Sequence, residues 1–185
     1  MDRPASQLGD FRGGGPVGAA RSLRDRNRGS SMDLSSLLKP EAVRVLPDIS
    51  SKKRLLQSIA DMAEDLIGLP MSQIFDALQE RESLGPTGVG HGVALPHARL
   101  SALTKVHGAF IRLEKPVDFD SADKQPVDLV FALFAPTDTG VDHLKALALV
   151  SRTLRDQALC NKLRANGDPA TLYTILTEAA ETKAA

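Results

Sequence analysis

The sequence predicts an α/β fold, a single-domain sandwich in which α-helices flank a small central mixed β-sheet. Two observations carry this. From Met32 onward, apolar residues recur at helical spacing in some segments and run continuously in others, and the two patterns alternate along the chain. Such alternation is the signature of layered α/β domains. The 185 residues, 42% apolar and 25% charged, also suffice to bury one core with an appendage to spare.

The appendage is residues 1–31. Gly13-Gly-Gly-Pro16 lies there among Arg3, Arg12, Arg21, Arg24, Arg26 and Arg28, opposed only by Asp2, Asp10 and Asp25. A segment so poor in apolar side chains cannot offset the entropy of ordering, and disorder is expected. It lacks the apolar stretch of a secretory signal. A basic interaction arm and an Arg-rich transit peptide are the functional readings. The favoured one is plainer: a translation start assigned too early, with Met32 opening the domain that occupies 32–185.

In order along that domain, Leu55, Leu56, Ile59, Met62, Ala63, Leu66 and Ile67 share one face of a helix over about 52–67. Ser50 or Ser51 can cap its start and Gly68 its end. A second helix, about 72–83, turns Ile74, Phe75 and Leu78 inward and carries Glu80, Arg81 and Glu82 near its end. Short strands follow over 93–95 and 106–113. A third, 127–135, is apolar enough to be buried on both faces. Leu144, Leu147, Val150 and Leu154 mark a helix. Residues 160–163 and 172–176 mark two shorter ones, divided by Gly167-Asp168-Pro169. No internal repeat is present.

Composition excludes several classes. No window approaches the roughly 18 apolar residues of a membrane span, the longest run being Leu129 to Pro136. Formal net charge is zero, so bulk electrostatics give no case for nucleic acid or membrane binding. The single cysteine, Cys160, excludes an internal disulfide framework and agrees with a reducing cytoplasm.

The most informative stretch is Gly85-Pro-Thr-Gly-Val-Gly-His-Gly-Val-Ala-Leu-Pro-His-Ala-Arg99. It reads as a pliable glycine loop, a buried strand, and a histidine, His97, at the strand's exit where Pro96 ends the ladder. An imidazole so placed serves as nucleophile, base or metal ligand. Gly88-Val-Gly-His-Gly92 fails as a dinucleotide fingerprint, since Val93 stands where the third glycine belongs and a helix precedes the loop. No P-loop, HExxH, CxxC or GxSxG occurs.

The stretch resembles the active-site segment of the IIA components of the phosphoenolpyruvate-dependent phosphotransferase system, nearest to the nitrogen-regulatory branch of the mannitol/fructose type. Ser51-Lys-Lys-Arg54, Arg81-Glu-Ser-Leu-Gly85, Gln125-Pro-Val-Asp-Leu-Val-Phe-Ala-Leu133 and His143-Leu144 fall in that family's order and approximate spacing, from about Met32 to near the end. The resemblance implies the mannitol/fructose-type IIA fold, with His97 as phosphoryl acceptor and Arg81 and His143 beside the phosphoryl oxygens. A planar, permanently charged guanidinium suits a dianion. Backbone N–H groups at Gly88, Gly90 and Gly92 are candidate anion ligands, and Arg99 is either a partner contact or a solvated charge.

The implied function is a cytoplasmic phosphocarrier that accepts its group from an HPr-like carrier protein and signals through its phosphorylation state to targets on the His97 face. No cofactor or metal is implied. Two alternatives stand beside it. One is a sugar-specific IIA component serving a IIB partner; the other is a small metal-dependent hydrolase using His91, His97 and His143. His91 otherwise reads as a solvent-facing loop residue, His107 as structural, and Cys160 as a small core side chain.

Overall fold

The structure, a computed structural model, describes residues 32–138 and 140–184. The disorder expected of 1–31 lies outside the described residues. In chain order the elements are α1 (Leu34–Leu37), β1 (Leu38–Leu46), α2 (Lys52–Ile67), α3 (Met71–Ser83), β2 (Gly88–Gly90), β3 (Val93–Ala94), β4 (His97–Arg99), β5 (His107–Val117), β6 (Val127–Ala135), α4 (Gly140–Leu154), α5 (Gln157–Arg164) and α6 (Pro169–Ala184).

The strands form one mixed sheet in the order β1-β5-β6-β3-β2, with β4 also pairing β6. β6 is its centre: every residue but Asp128 is buried, because β5 runs antiparallel on one side and β3 and β4 run parallel on the other. Helix α2 packs against β1 and β5, α6 along β1, α4 against β6 and α3 against β4. Phe110, Phe119, Phe131 and Phe134 fill the core between these layers.

Local chemistry accounts for the helix bounds. α2 spans the residues its periodicity predicts; Ser51 Oγ accepts from Arg54 N at 3.2 Å, and Gly68 closes it at φ 72°, donating to Glu64 O. α6 opens at Pro169, with Asp168 Oδ2 accepting from Thr171 N at 2.9 Å. It runs on to Ala184 because Leu172, Leu176 and Ala180 continue one buried row. The predicted segment stopped early since small alanines carry little periodic signal.

Four differences from the sequence reading have physical causes. β1 was not expected, because Lys39, Pro40 and Glu41 interrupt it; as an edge strand it absorbs them where its register against β5 shifts between Leu38 and Val43. In α4 the inward face is His143, Ala146 and Val150, while Leu144 is 63% exposed. Pro96 does not end the ladder. β3 and β4 pair with β6 in one unbroken register, and Leu133 N donates to the Pro96 carbonyl at 3.0 Å. His97 therefore stands on the strand rather than beyond it. The glycine stretch, finally, is a tight hairpin and not a pliable loop, since β2 turns back through His91 and Gly92 onto β3.

Candidate functional site

Three elements converge at His97. On β4 successive side chains alternate, so His97 and Arg99 share one face while Ala98 is buried on the other. Arg81 reaches the same face from the last turn of α3, and His143 from the first turn of α4. Together they line a cavity of about 460 Å³, walled in addition by Leu84 and Leu144.

Hydrogen bonds assign the protons. His97 Nδ1 lies 2.9 Å from the Leu95 carbonyl oxygen, and Arg81 Nε donates to His97 Nε2 at 3.0 Å. A carbonyl only accepts and a guanidinium only donates. His97 thus carries its proton on Nδ1, and its Nε2 is unprotonated, with the lone pair accepting from Arg81. His143 is the converse. Arg99 Nε donates to its Nδ1 at 3.2 Å, which leaves the proton on Nε2. That Nε2 is buried and has no partner among the described residues. The two rings meet edge to face with centroids 5.3 Å apart.

Electrostatics keep both rings neutral. Burial pushes His97 below its ordinary value; the Leu95 carbonyl opposes this, and the Arg81 charge adds to it. His143 is pushed down to about 4 by burial first, then by His97, Arg99 and Arg81. At neutral pH the site therefore presents one unprotonated imidazole nitrogen on His97, one N–H donor on His143 without a partner among the described residues, and two fixed cations.

Arg81 is held by a feature that sequence reasoning missed. Its Nη1 donates to Gly85 O at 3.0 Å, and its neighbour Glu82 is buried. Glu82 accepts from Thr87 N at 2.8 Å and from Thr87 Oγ1 at 2.6 Å, and pairs with Lys52 Nζ at 2.9 Å. This carboxylate ties the start of α2 to the turn between α3 and β2. The available signal was a glutamate closing a helix just before Gly85-Pro86, a place where nothing local needs a negative charge.

Gly88, Gly90 and Gly92 do not line the cavity, so the structure separates them from the charged side chains they were expected to join. The hairpin tip is tied elsewhere. His91, at φ 55°, donates its backbone N–H to Asp123 Oδ2 at 2.9 Å, and its carbonyl accepts from Arg164 Nη2 at 2.8 Å. Arg164 in turn grips Asp128 through Nε and Nη2 at 2.8 and 2.9 Å. A Cβ on Gly92 would stand 2.6 Å from that guanidinium, which explains this glycine by close approach. His91 is thereby kept away from His97 and His143, and among the described residues no group of three His, Cys, Asp or Glu is placed to hold a metal. His107 is half-buried at the start of β5, and Cys160 is buried in α5 with its Sγ on the Leu154 carbonyl at 3.2 Å. No helix among the described residues is long and apolar enough to cross a membrane.

Known proteins share this architecture. Residues 36–179 match the family described as phosphoenolpyruvate-dependent sugar phosphotransferase system, EIIA 2. A nitrogen regulatory protein of Bradyrhizobium diazoefficiens is 48% identical over 145 residues, covering 78% of this chain and 95% of its own. The nitrogen regulatory protein of Escherichia coli is 41% identical over 153 residues, covering 82% and 94%. The crystal structure of nitrogen regulatory protein IIA-Ntr from Neisseria meningitidis superposes with a TM-score of 0.73 at 33% identity, over 78% of this chain and 99% of that one. The motifs around Arg81, His97 and His143 thus sit in a fold and a sequence shared over most of the domain, and the chain belongs to the EIIA type 2 family of the phosphotransferase system.

Proposed function

We infer that this chain is a regulatory phosphocarrier and that His97 Nε2 is the atom that takes the phosphoryl group. The observation that carries the reading is the proton arrangement: His97 lines the cavity with an unprotonated Nε2 beside a guanidinium, and His143 lines the same cavity with an Nε2–H that has no partner among the described residues.

The donor is a histidine-phosphorylated carrier of the HPr type. The Nε2 lone pair attacks phosphorus, and the donor's N–P bond breaks with its electron pair returning to the donor ring. No proton moves at His97. Its Nδ1–H stays on the Leu95 carbonyl, which offsets the positive charge that the ring acquires. As the N–P bond forms, Arg81 loses its acceptor on Nε2 and turns to the phosphoryl oxygens, pivoting on its bond to Gly85 O. His143 Nε2–H gains an oxygen as its first partner. Both act where charge spreads over the equatorial oxygens in transfer.

The rim suits a protein donor. Leu84, Val141 and Leu144 are 82%, 66% and 63% exposed, an apolar border of the kind found at protein interfaces. The same rim makes the regulatory reading concrete, because phosphorylation brings about two negative charges to a face that a target would desolvate.

The test is to incubate the protein with phosphoenolpyruvate, the upstream kinase and the carrier, and to measure intact mass. One acid-labile phosphoryl group is expected on the wild type and none on His97→Ala. Labelling of that variant would move the acceptor elsewhere.

A further inference from the structure

We propose that Arg99 is a positioning residue for transfer: it selects the tautomer of His143 that offers Nε2–H to the phosphoryl group. The inference rests on the phosphocarrier reading. Arg81 and Arg99 each donate Nε–H to one imidazole, at 3.0 Å to His97 and 3.2 Å to His143, but the two contacts have different fates. The Arg81 contact occupies the lone pair that becomes the N–P bond, so it must break. The Arg99 contact lies on the far nitrogen of His143 and persists throughout.

His143 is 4% exposed, and solvent cannot satisfy it. With Nδ1 accepting from Arg99, the only proton sits on Nε2, which has no partner among the described residues. In the other tautomer, Nδ1–H would confront the Arg99 N–H, and the Nε2 lone pair would confront incoming phosphoryl oxygens. Arg99 excludes that arrangement by direct donor–donor conflict. It also opposes a second proton on Nδ1 for the same reason, so His143 stays a neutral donor and does not compete with His97 for the group.

Arg99 belongs to β4 and lies two residues from His97, so one short strand aims both imidazoles. It is itself solvent-exposed, and removing it opens no cavity in the core. Its effect is confined to the ring it orients.

The test uses the full chain labelled with ¹⁵N on histidine. In the unphosphorylated wild type, long-range ¹H–¹⁵N spectra should show His143 Nδ1 unprotonated and Nε2 protonated at neutral pH. Arg99→Met should give a mixture of tautomers and a titration displaced toward the ordinary histidine range. Phosphoryl transfer should then slow on the order of tenfold, as for other partners that orient a working histidine, while the domain stays folded and its melting temperature falls only by the few degrees that one orphaned buried acceptor costs. Arg99→Lys, which restores one donor, should recover the tautomer and part of the rate. Wild-type tautomer and titration in Arg99→Met would overturn the proposal, as would Nδ1 protonation in the wild type. The spectra judge Arg99 without any phosphorylation. If the wild type instead takes no group from the carrier, the phosphocarrier reading fails by a separate measurement.

Discussion

Glu82→Gln tests how the cavity is supported. The buried carboxylate receives Thr87 N, Thr87 Oγ1 and the Lys52 ammonium at 2.8, 2.6 and 2.9 Å. Glutamine keeps the shape and can keep these contacts, its Oε1 accepting from Thr87 N and its amide N–H donating to a reoriented Thr87 hydroxyl, so what it removes is the charge paired with Lys52. Removing one charge of a buried pair costs about 3–5 kcal/mol. Lys52 keeps some compensation here: its side chain is 20% exposed, Asp120 lies at 3.7 Å, and its Nζ stands 4.6 Å from the Phe119 ring centroid. These lower the expected loss to about 2–3 kcal/mol. At about 2–4 °C per kcal/mol for a domain of this size, the melting temperature should fall by roughly 5–10 °C. Scanning calorimetry at neutral pH measures it, with Glu41→Gln on exposed β1 as a control expected to stay within about 1 °C. Because Glu82 anchors the turn that holds Arg81, transfer to His97 should slow even below the unfolding range. In Lys52→Met/Glu82→Gln the two losses should sum to less than the single variants imply, since no ammonium is left beside a neutral partner. A melting temperature equal to wild type in Glu82→Gln would refute the reasoning.

Arg81→Ala and Arg81→Lys should both slow phosphoryl transfer without abolishing it, the alanine variant by about 2–4 kcal/mol of barrier, read by rapid-quench kinetics; unaltered rates would make Arg81 a surface charge. Stability should be flat above pH 6.5 and fall as pH drops from there to about 4, because the unfolded chain takes up protons that folded His143 refuses. His143 alone accounts for about 1–3 kcal/mol of that loss once solvent screening is discounted, and the stability of His143→Asn, from urea titrations at a series of pH values, should vary less steeply with pH. A chain beginning at Met32 should match the full chain in melting temperature and transfer, and a clear deficit in either would assign residues 1–31 a docking role. Targets using the His97 face should be recovered less well by His97→Glu than by wild type or His97→Ala in pull-downs. Equal recovery by all three would place signalling on another surface.

Much of the architecture is legible in the chain itself, for a physical reason that can be named element by element. α2 is delimited by Ser51, an apolar stripe and Gly68, all within one segment. β6 announces itself by a short apolar run, rich in Val and Phe, whose length suits a strand buried on both faces. Where several forces compete, the pattern misleads. Leu144 was assigned inward with Leu147 and Val150, yet α4 turns His143 inside, because Arg99 and His97 give that imidazole a polar neighbourhood which the periodicity cannot register. Pro96 reads as a strand end, yet the neighbouring β6 still uses its carbonyl and the register continues.

The sequence by itself determined the alternation of helix and strand from α2 onward, though not β1, and, through motifs resembling the family's, pointed to the family and to Arg81, His97 and His143. The alternation rests on local periodicity, capping and turn residues, each decided within a few positions, whereas the family and the site residues rest on the resemblance of motifs spread along the chain. Tertiary structure alone decided which nitrogen of each histidine is free, that Glu82 and Lys52 brace the site, and that the glycine hairpin stands apart from it. Each depends on a hydrogen-bond partner brought from a distant segment by the parallel register of β4 on β6 and by the packing of α3 against β4. A proton's position on an imidazole is set by whatever donor or acceptor the fold delivers within about 3 Å, and no local pattern of residues encodes that encounter.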